Sequence, residues 1–368
     1  MRSVPLRLRF TTPSILLFAL CRLAAGQQSY VRPLINEPVD ESQRMVLKGN
    51  THPLARPQFD IASAPPDLPM QRMLLVLKRS PEQETALMKL IDDQQDKSSP
   101  DYHKWLTPEK FGQQFGPADS DIQAVTSWLQ GHGFAIASVS KGRTTIEFSG
   151  TAAQVQEAFH TAIRNYSVNG ITHWANANDP AIPVALASVV AGVHSLHNFY
   201  KRPQLVFSGE KVRATVLPGT PPQVSFADGT HALSPGDYRV IYNINPALTS
   251  GINGQGQTIA VVARSNLFNS GQDISDFQRL FELCCGNLNI VLNGPDPGDL
   301  GGGEEAEATL DATWSGALAP SATVDFVVSA GTNSTDGIFL SELYIIDNNL
   351  APVMTESFGG CETGVTNA

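Results

Sequence analysis

The chain has 368 residues, a formal net charge of −10 and 42% hydrophobic residues. That is ample for two cored domains and excludes an intrinsically disordered composition. The charge is uneven: residues 251–368 hold two bases, Arg264 and Arg279, against fifteen acids, a net of −13, whereas residues 27–250 stand at −1. So acidic a surface repels nucleic acid and suits work at low pH, where self-repulsion falls.

Residues 1–26 read as a signal peptide. Arg2, Arg7 and Arg9 precede a short apolar run over 10–20, and small residues follow near Gly26. Thr11, Thr12 and Pro13 interrupt the run, which is too short for a membrane span, and no later segment is a better candidate. The mature chain is therefore expected outside the cell or in the periplasm, with no membrane contact after signal removal. Residues 27–70 are polar and proline-containing and are expected to be a mobile lead-in.

From 71 to 200 the patterns change. A strand is predicted over 72–79. A helix follows over 80–95, with Ser80 as its cap and Pro81 in its first turn; another opens at Thr107-Pro108, and a third covers 119–133. Strands at 134–140 and 144–150 flank a basic turn, a helix spans 151–163, and 164–176 reads as a hairpin turning at Asn169-Gly170. This order predicts a ferredoxin-like α+β unit whose last strand lies in the hairpin. Residues 201–233 lack periodicity and read as an exposed linker.

Beyond 234 the elements alternate. Strands are predicted at 254–264, 288–294, 322–329 and 351–360, and helices at 273–283, 304–319 and 335–349. The first strand is almost wholly apolar. The expectation is a doubly wound, parallel α/β sheet.

Chemistry concentrates in "GGGEEAEATLDATW". Glu307 and Asp311 are four apart and share a helix face, which supports proton transfer if that face lines a cleft. Against this, acids in a first helical turn also serve the helix dipole, the reading given to Glu304 and Glu305. All eight histidines precede residue 232, so a Ser-His-Asp triad within the acidic unit is excluded. A carboxylate base, with an ordinary pKa of about 4.3, works in acid.

Other motifs carry less. His194 and His197 are three apart with no further ligands in sight, and read as a packed or surface pair. Residues 296–305 match no EF-hand spacing. Ser357 lacks the leading glycine of a nucleophile elbow and reads as a strand-end residue. Asn165 and Asn333 begin glycosylation-type triplets. Cys284, Cys285 and Cys361 are odd in number, so a thiol is left over if two pair.

Taken together, "LKRSPEQETAL", "SSPDYHKWLTPEKFGQQFGP", "GRTTIEFSGTAAQVQEAFHT", "NDPAIP", "SLHNF", "SPGDYRVIYNI", "GQGQTIAVVARSN" and "APVMTESFGGCE" resemble the sedolisin (peptidase S53) family of serine-carboxyl peptidases with a pro-kumamolisin activation domain. The resemblance implies an activation domain over 71–200, a processing region within 201–233, and over 234–368 the N-terminal part of a subtilisin-like peptidase domain. It implies that Glu307 is the general base and Asp311 the second carboxylate of a Ser-Glu-Asp triad. Thr309 stands between them, where the family is often acidic. The substrate implied is a protein or peptide, cut in acid by a monomer whose prodomain contacts its own catalytic domain.

The family's G-T-S and S-G-D-x-G-like motifs do not occur in these residues. The resemblance therefore implies a fragment truncated before the catalytic serine and inactive alone. No cofactor is expected in it, the calcium of full-length relatives binding elsewhere. Two other readings stand beside this one. The first is a secreted binding or inhibitory pro-region acting in trans on a related peptidase. The second is a carboxylate-pair glycosidase, for which Trp314 is the nearest stacking aromatic.

Overall fold

The computed structural model describes residues 31–360, apart from 195, 204, 206–214, 217–222, 226–230 and 284–285. The signal-like segment and all the cysteines lie outside the described residues.

The chain enters through β1 (Arg44–Val46) and β2 (Asp60–Ser63), then β3 (Pro69–Leu77). Helix α1 (Pro81–Gln95) starts on a reciprocal Ser80–Gln83 capping box, and α2 (Pro108–Phe115) on a Thr107 cap. Then come α3 (Asp119–Gly131), β4 (Ala135–Val139), β5 (Thr145–Thr151) and α4 (Ala152–Phe159). The hairpin β6 (Ile163–Val168) and β7 (Ile171–Asn176) is followed by β8 (Ala181–Pro183) and β9 (Val190–His194).

Strands β4, β5, β3 and β9 form one antiparallel sheet in that spatial order. Counted along the chain this is 2-3-1-4, the ferredoxin-like order. Phe134, Phe148, Phe159 and Trp128 build the core where α3 and α4 meet the sheet.

Two expectations need correction here. The hairpin turns at Asn169-Gly170, both at positive φ, yet it does not supply the fourth strand. It pairs with β2 in a separate sheet, and β9 takes the fourth place. Strand β9 is short, and its small and apolar residues, only Ala191 of them exposed, show no alternation to read. Nor are residues 31–70 a free lead-in. β1 pairs with β8, and Asp121, fully buried, accepts hydrogen bonds from the amides of Leu34 and Ile35. Edge pairing depends on a distant partner, and the local composition carries no sign of it.

After β10 (Arg202–Pro203) come the short strands β11 (Thr215–Val216), β12 (Gln223–Ser225) and β13 (His231–Leu233), an antiparallel sheet. Strands of two or three residues are too short to show a period. Helix α5 (Pro235–Ile241) opens on a Ser234–Asp237 capping box, and α6 (Asn245–Thr249) follows.

The acidic unit then runs β14 (Thr258–Ala263), α7 (Gln272–Leu280), β15 (Asn287–Leu292), α8 (Gly302–Leu318), β16 (Thr323–Val328), α9 (Gly337–Asp347), β17 (Val353–Thr355) and β18 (Phe358–Gly359). Its sheet is parallel, in the order β15-β16-β14-β17. Val261, Ala263, Val324 and Phe326 pack under α7 and α8 through Ile274, Ala308 and Ala312. Ala260, Val262 and Val327 pack under α9 through Ile338 and Ile345. Both faces of β14 are covered, which is why that strand reads as a nearly unbroken apolar run. The unit is the doubly wound α/β sheet expected.

The two units touch. The hydroxyls of Thr332, Ser334 and Thr335 donate to the carbonyls of Gln71 and Arg72, and the Asn333 amide donates to the Pro69 carbonyl. Arg72 bonds both Glu147 and the Asn293 carbonyl, and Asp347 accepts from the amides of Lys141 and Gly142. Asn333, which begins a glycosylation-type triplet, is thus part of the contact.

Candidate active site

In open α/β sheets, functional groups gather beyond the carboxyl ends of the strands. Arg264 follows β14 directly, Glu356 and Ser357 follow β17, and α8 lays its first turns across the same end. No side chain caps α8. It starts at Gly301, whose φ is 69°, and the three glycines let the backbone turn into the helix.

Arg264 organises the entrance. Its Nε and Nη2 bond the two oxygens of Glu304 at 2.9 and 2.6 Å, and its Nη1 bonds both oxygens of Asp336 at 2.9 Å. Nη2 also donates to the Lys201 carbonyl at 2.7 Å. Burial opposes the charge on Arg264, but the two carboxylates more than offset it and raise its pKa. Asp336 doubles as the cap of α9, accepting from the Ile338 amide. The close seating needs Gly337, since a Cβ there would meet the Ser329 carbonyl oxygen at 2.1 Å. Glu304, assigned from sequence to the helix dipole, is in fact an ion-pair partner.

Glu307 lies one turn further in, 2% exposed. Its Oε2 accepts a hydrogen bond from the Leu205 backbone amide at 2.9 Å. Leu205 belongs to the segment leaving the N-terminal unit. Two residues before it, β10 pairs antiparallel with β18, Arg202 opposite Gly359 and Pro203 opposite Phe358. Arg202 and Pro203 therefore lie along β18, and Leu205 presents its amide to Glu307.

Asp311 follows on the same face. Its Oδ1 accepts from the Ser357 hydroxyl at 2.8 Å, while Oδ2 is buried without a partner. Burial pushes its pKa up to about 6; the Ser357 hydrogen bond opposes the rise, and the charge of Glu307 adds to it. Ser357 is thus a ligand of the carboxylate and more than a strand end. Replacing it with alanine removes the one group that lowers this pKa, so Ser357→Ala is expected to move the Asp311 titration above 6. Carboxyl carbon NMR of labelled aspartate measures this; an unmoved or lower titration would show that the hydroxyl does not hold the carboxylate.

The remaining sequence candidates have structural roles. His197 packs against His52 and Phe199 with ring centroids 4.7 and 5.9 Å apart, and His194 stands edge-on to Phe339 at 4.2 Å. Asp296 is taken by the Asn266 amide. Among the described residues no three His, Cys, Asp or Glu side chains gather as a metal site requires. Asn165 lies within β6, opposite Trp174. Trp314 packs on Tyr238 and Phe277 at 4.6 and 6.1 Å, as core rather than a sugar platform. Arg264, Asp336, Glu342 and Lys201 escaped the sequence reading, because single charged residues in separate elements leave no spacing to recognise.

Comparison with known proteins bears on the same regions. Residues 60–199 match the family described as pro-kumamolisin, activation domain. The chain is 24% identical to sedolisin of Pseudomonas sp. (strain 101) over 267 residues, 71% of this chain and 43% of that protein. It is 32% identical to xanthomonalisin of Xanthomonas sp. (strain T-22) over 181 residues, 47% of this chain and 22% of that one. The chain thus spans less than half the length of these curated relatives.

Proposed function

We propose, from the activation-domain match over residues 60–199 and the similarity to sedolisin and xanthomonalisin, that the chain belongs to the sedolisin family and is the precursor of an exported acid-acting endopeptidase in which Glu307 is the general base and Asp311 its supporting carboxylate. The observation that carries this reading is the 2.9 Å hydrogen bond from the Leu205 backbone amide to Glu307. In acyl transfer the base takes the proton of the nucleophile and returns it to the leaving nitrogen. A carboxylate that meets a peptide N–H is placed for that second step.

Asp311 serves Glu307 through charge. With a pKa near 6 it is protonated in acid, which relieves its repulsion of the neighbouring carboxylate. The segment along β18 occupies the place of a substrate, so the activation domain blocks its own peptidase unit until it is cut. Within these 368 residues lies the proton-transfer half of the site. Export rests on the signal-like residues 1–26, and no helix among the described residues is long and apolar enough to cross a membrane.

The test begins with the coding DNA downstream of Ala368. If it encodes the G-T-S and S-G-D-x-G motifs, the encoded protein is expected to hydrolyse denatured protein at about pH 4. Glu307→Gln is expected to lower kcat by about 10²–10⁴-fold. Hydrolysis that persists unchanged in Glu307→Gln would remove Glu307 from the chemistry.

A further inference from the structure

A second pair of carboxylates lies beside the first. Glu342 is on α9 and Glu356 follows β17, and the two share a hydrogen bond. Burial, then Glu356, pushes Glu342 up to about 8. Phe339 lies one turn back from Glu342 on α9.

The site has an occupant. Lys201 Nζ sits 3.0 Å from Glu356 Oε1 and 4.7 Å from the Phe339 ring centroid. His194 closes the edge of the same ring. The Lys201 carbonyl is held by Arg264, and the next two residues pair with β18. A clamped backbone thus delivers one ammonium to a carboxylate and an aromatic face, the combination that selects a cation. Phe339, Glu342 and Glu356 all belong to the peptidase unit. Lys201 follows closely on the activation domain, at the start of the segment that leaves it, so the walls remain when that segment leaves.

We propose that Phe339, Glu342 and Glu356 form a subsite for a lysine side chain of a polypeptide lying antiparallel along β18, with Lys201 as its internal occupant. As a specificity site it rests on the peptidase reading above; as a lysine-binding pocket it does not.

The test uses the full chain and amide hydrogen exchange at Arg202, Phe358 and Gly359, which reports seating of the strand. Lys201→Ala and Glu356→Gln are each expected to speed exchange about tenfold, and Lys201→Arg much less. Added n-butylammonium chloride, the lysine side-chain analogue, is expected to slow exchange again in Lys201→Ala, whereas equal sodium chloride does not. Wild-type exchange rates in both Lys201→Ala and Glu356→Gln would overturn the pocket. So would a lack of rescue by n-butylammonium in a Lys201→Ala chain that melts like wild type. A pocket that passes while Glu307→Gln leaves hydrolysis unchanged separates failure of the peptidase reading from failure of this one.

Discussion

Replacing Arg264 with alanine is expected to destabilise the peptidase unit by about 3–5 kcal/mol. Two carboxylates and one carbonyl depend on that guanidinium. Asp336, with a side chain 3% exposed, would be left buried beside Glu304 without a counter-charge. Burial already raises the pKa of Asp336, and Arg264 is the first group that pulls it back. Without Arg264 it rises further, so the loss is larger at neutral pH than in acid, where the carboxyl protonates. Urea unfolding at pH 7 and pH 4 measures both values. Arg264→Lys keeps the charge without the fork and is expected to fall between. A loss below 1 kcal/mol at pH 7 would mean that Asp336 finds water or another partner.

The second large effect is one of pH. His197 is pushed down to about 3 and His194 to about 4, burial being the first cause in each; other histidines add to it at His197, and Lys201 adds to it at His194. His197 Nδ1 accepts from the Phe199 amide, a role that only an unprotonated ring nitrogen can fill. A base with a depressed folded pKa contributes stability that is full above its unfolded value, about 6.5, and is lost as pH falls toward the folded one. Asp311 and Glu342 have the opposite sign. Their raised pKa values, about 6 and about 8, contribute stability that is full in strong acid and lost as pH rises through them.

Acid therefore weakens the activation domain and relieves the peptidase unit. Between pH 7 and pH 4 the activation domain is expected to lose on the order of 3 kcal/mol from His197 alone. His197→Gln, whose side chain can still accept from the Phe199 amide, is expected to flatten that slope. Urea unfolding at several pH values, followed by hydrogen exchange within 134–159, checks it. A flat profile in the wild-type chain would count against a histidine buried in its neutral form.

Several elements were legible because their signals are local. Ser80-Pro81 and Thr107-Pro108 each fix a helix start through a cap and a proline in the first turn. Strand β14 reads as a parallel-sheet strand because burial on both faces removes any alternation. Glu307 and Asp311 fall on one helix face because four residues make about one turn.

What escaped the sequence has equally physical causes. β9 replaced the expected fourth strand because sheet pairing is decided between distant segments, and β2 offered the hairpin an edge. Ser357 meets Asp311 across 46 residues, and Lys201 reaches Glu356 across 155. No spacing rule spans such separations.

The sequence by itself determined the elements, their alternation, and a pair of carboxylates on one helix face, since each depends on neighbours within a few turns. Only the tertiary structure decided which charges are buried together, that Arg264 holds Glu304 and Asp336, and that a peptide from the first unit lies on Glu307. These depend on which surfaces exclude water from one another, and water is excluded only when both units have folded and met.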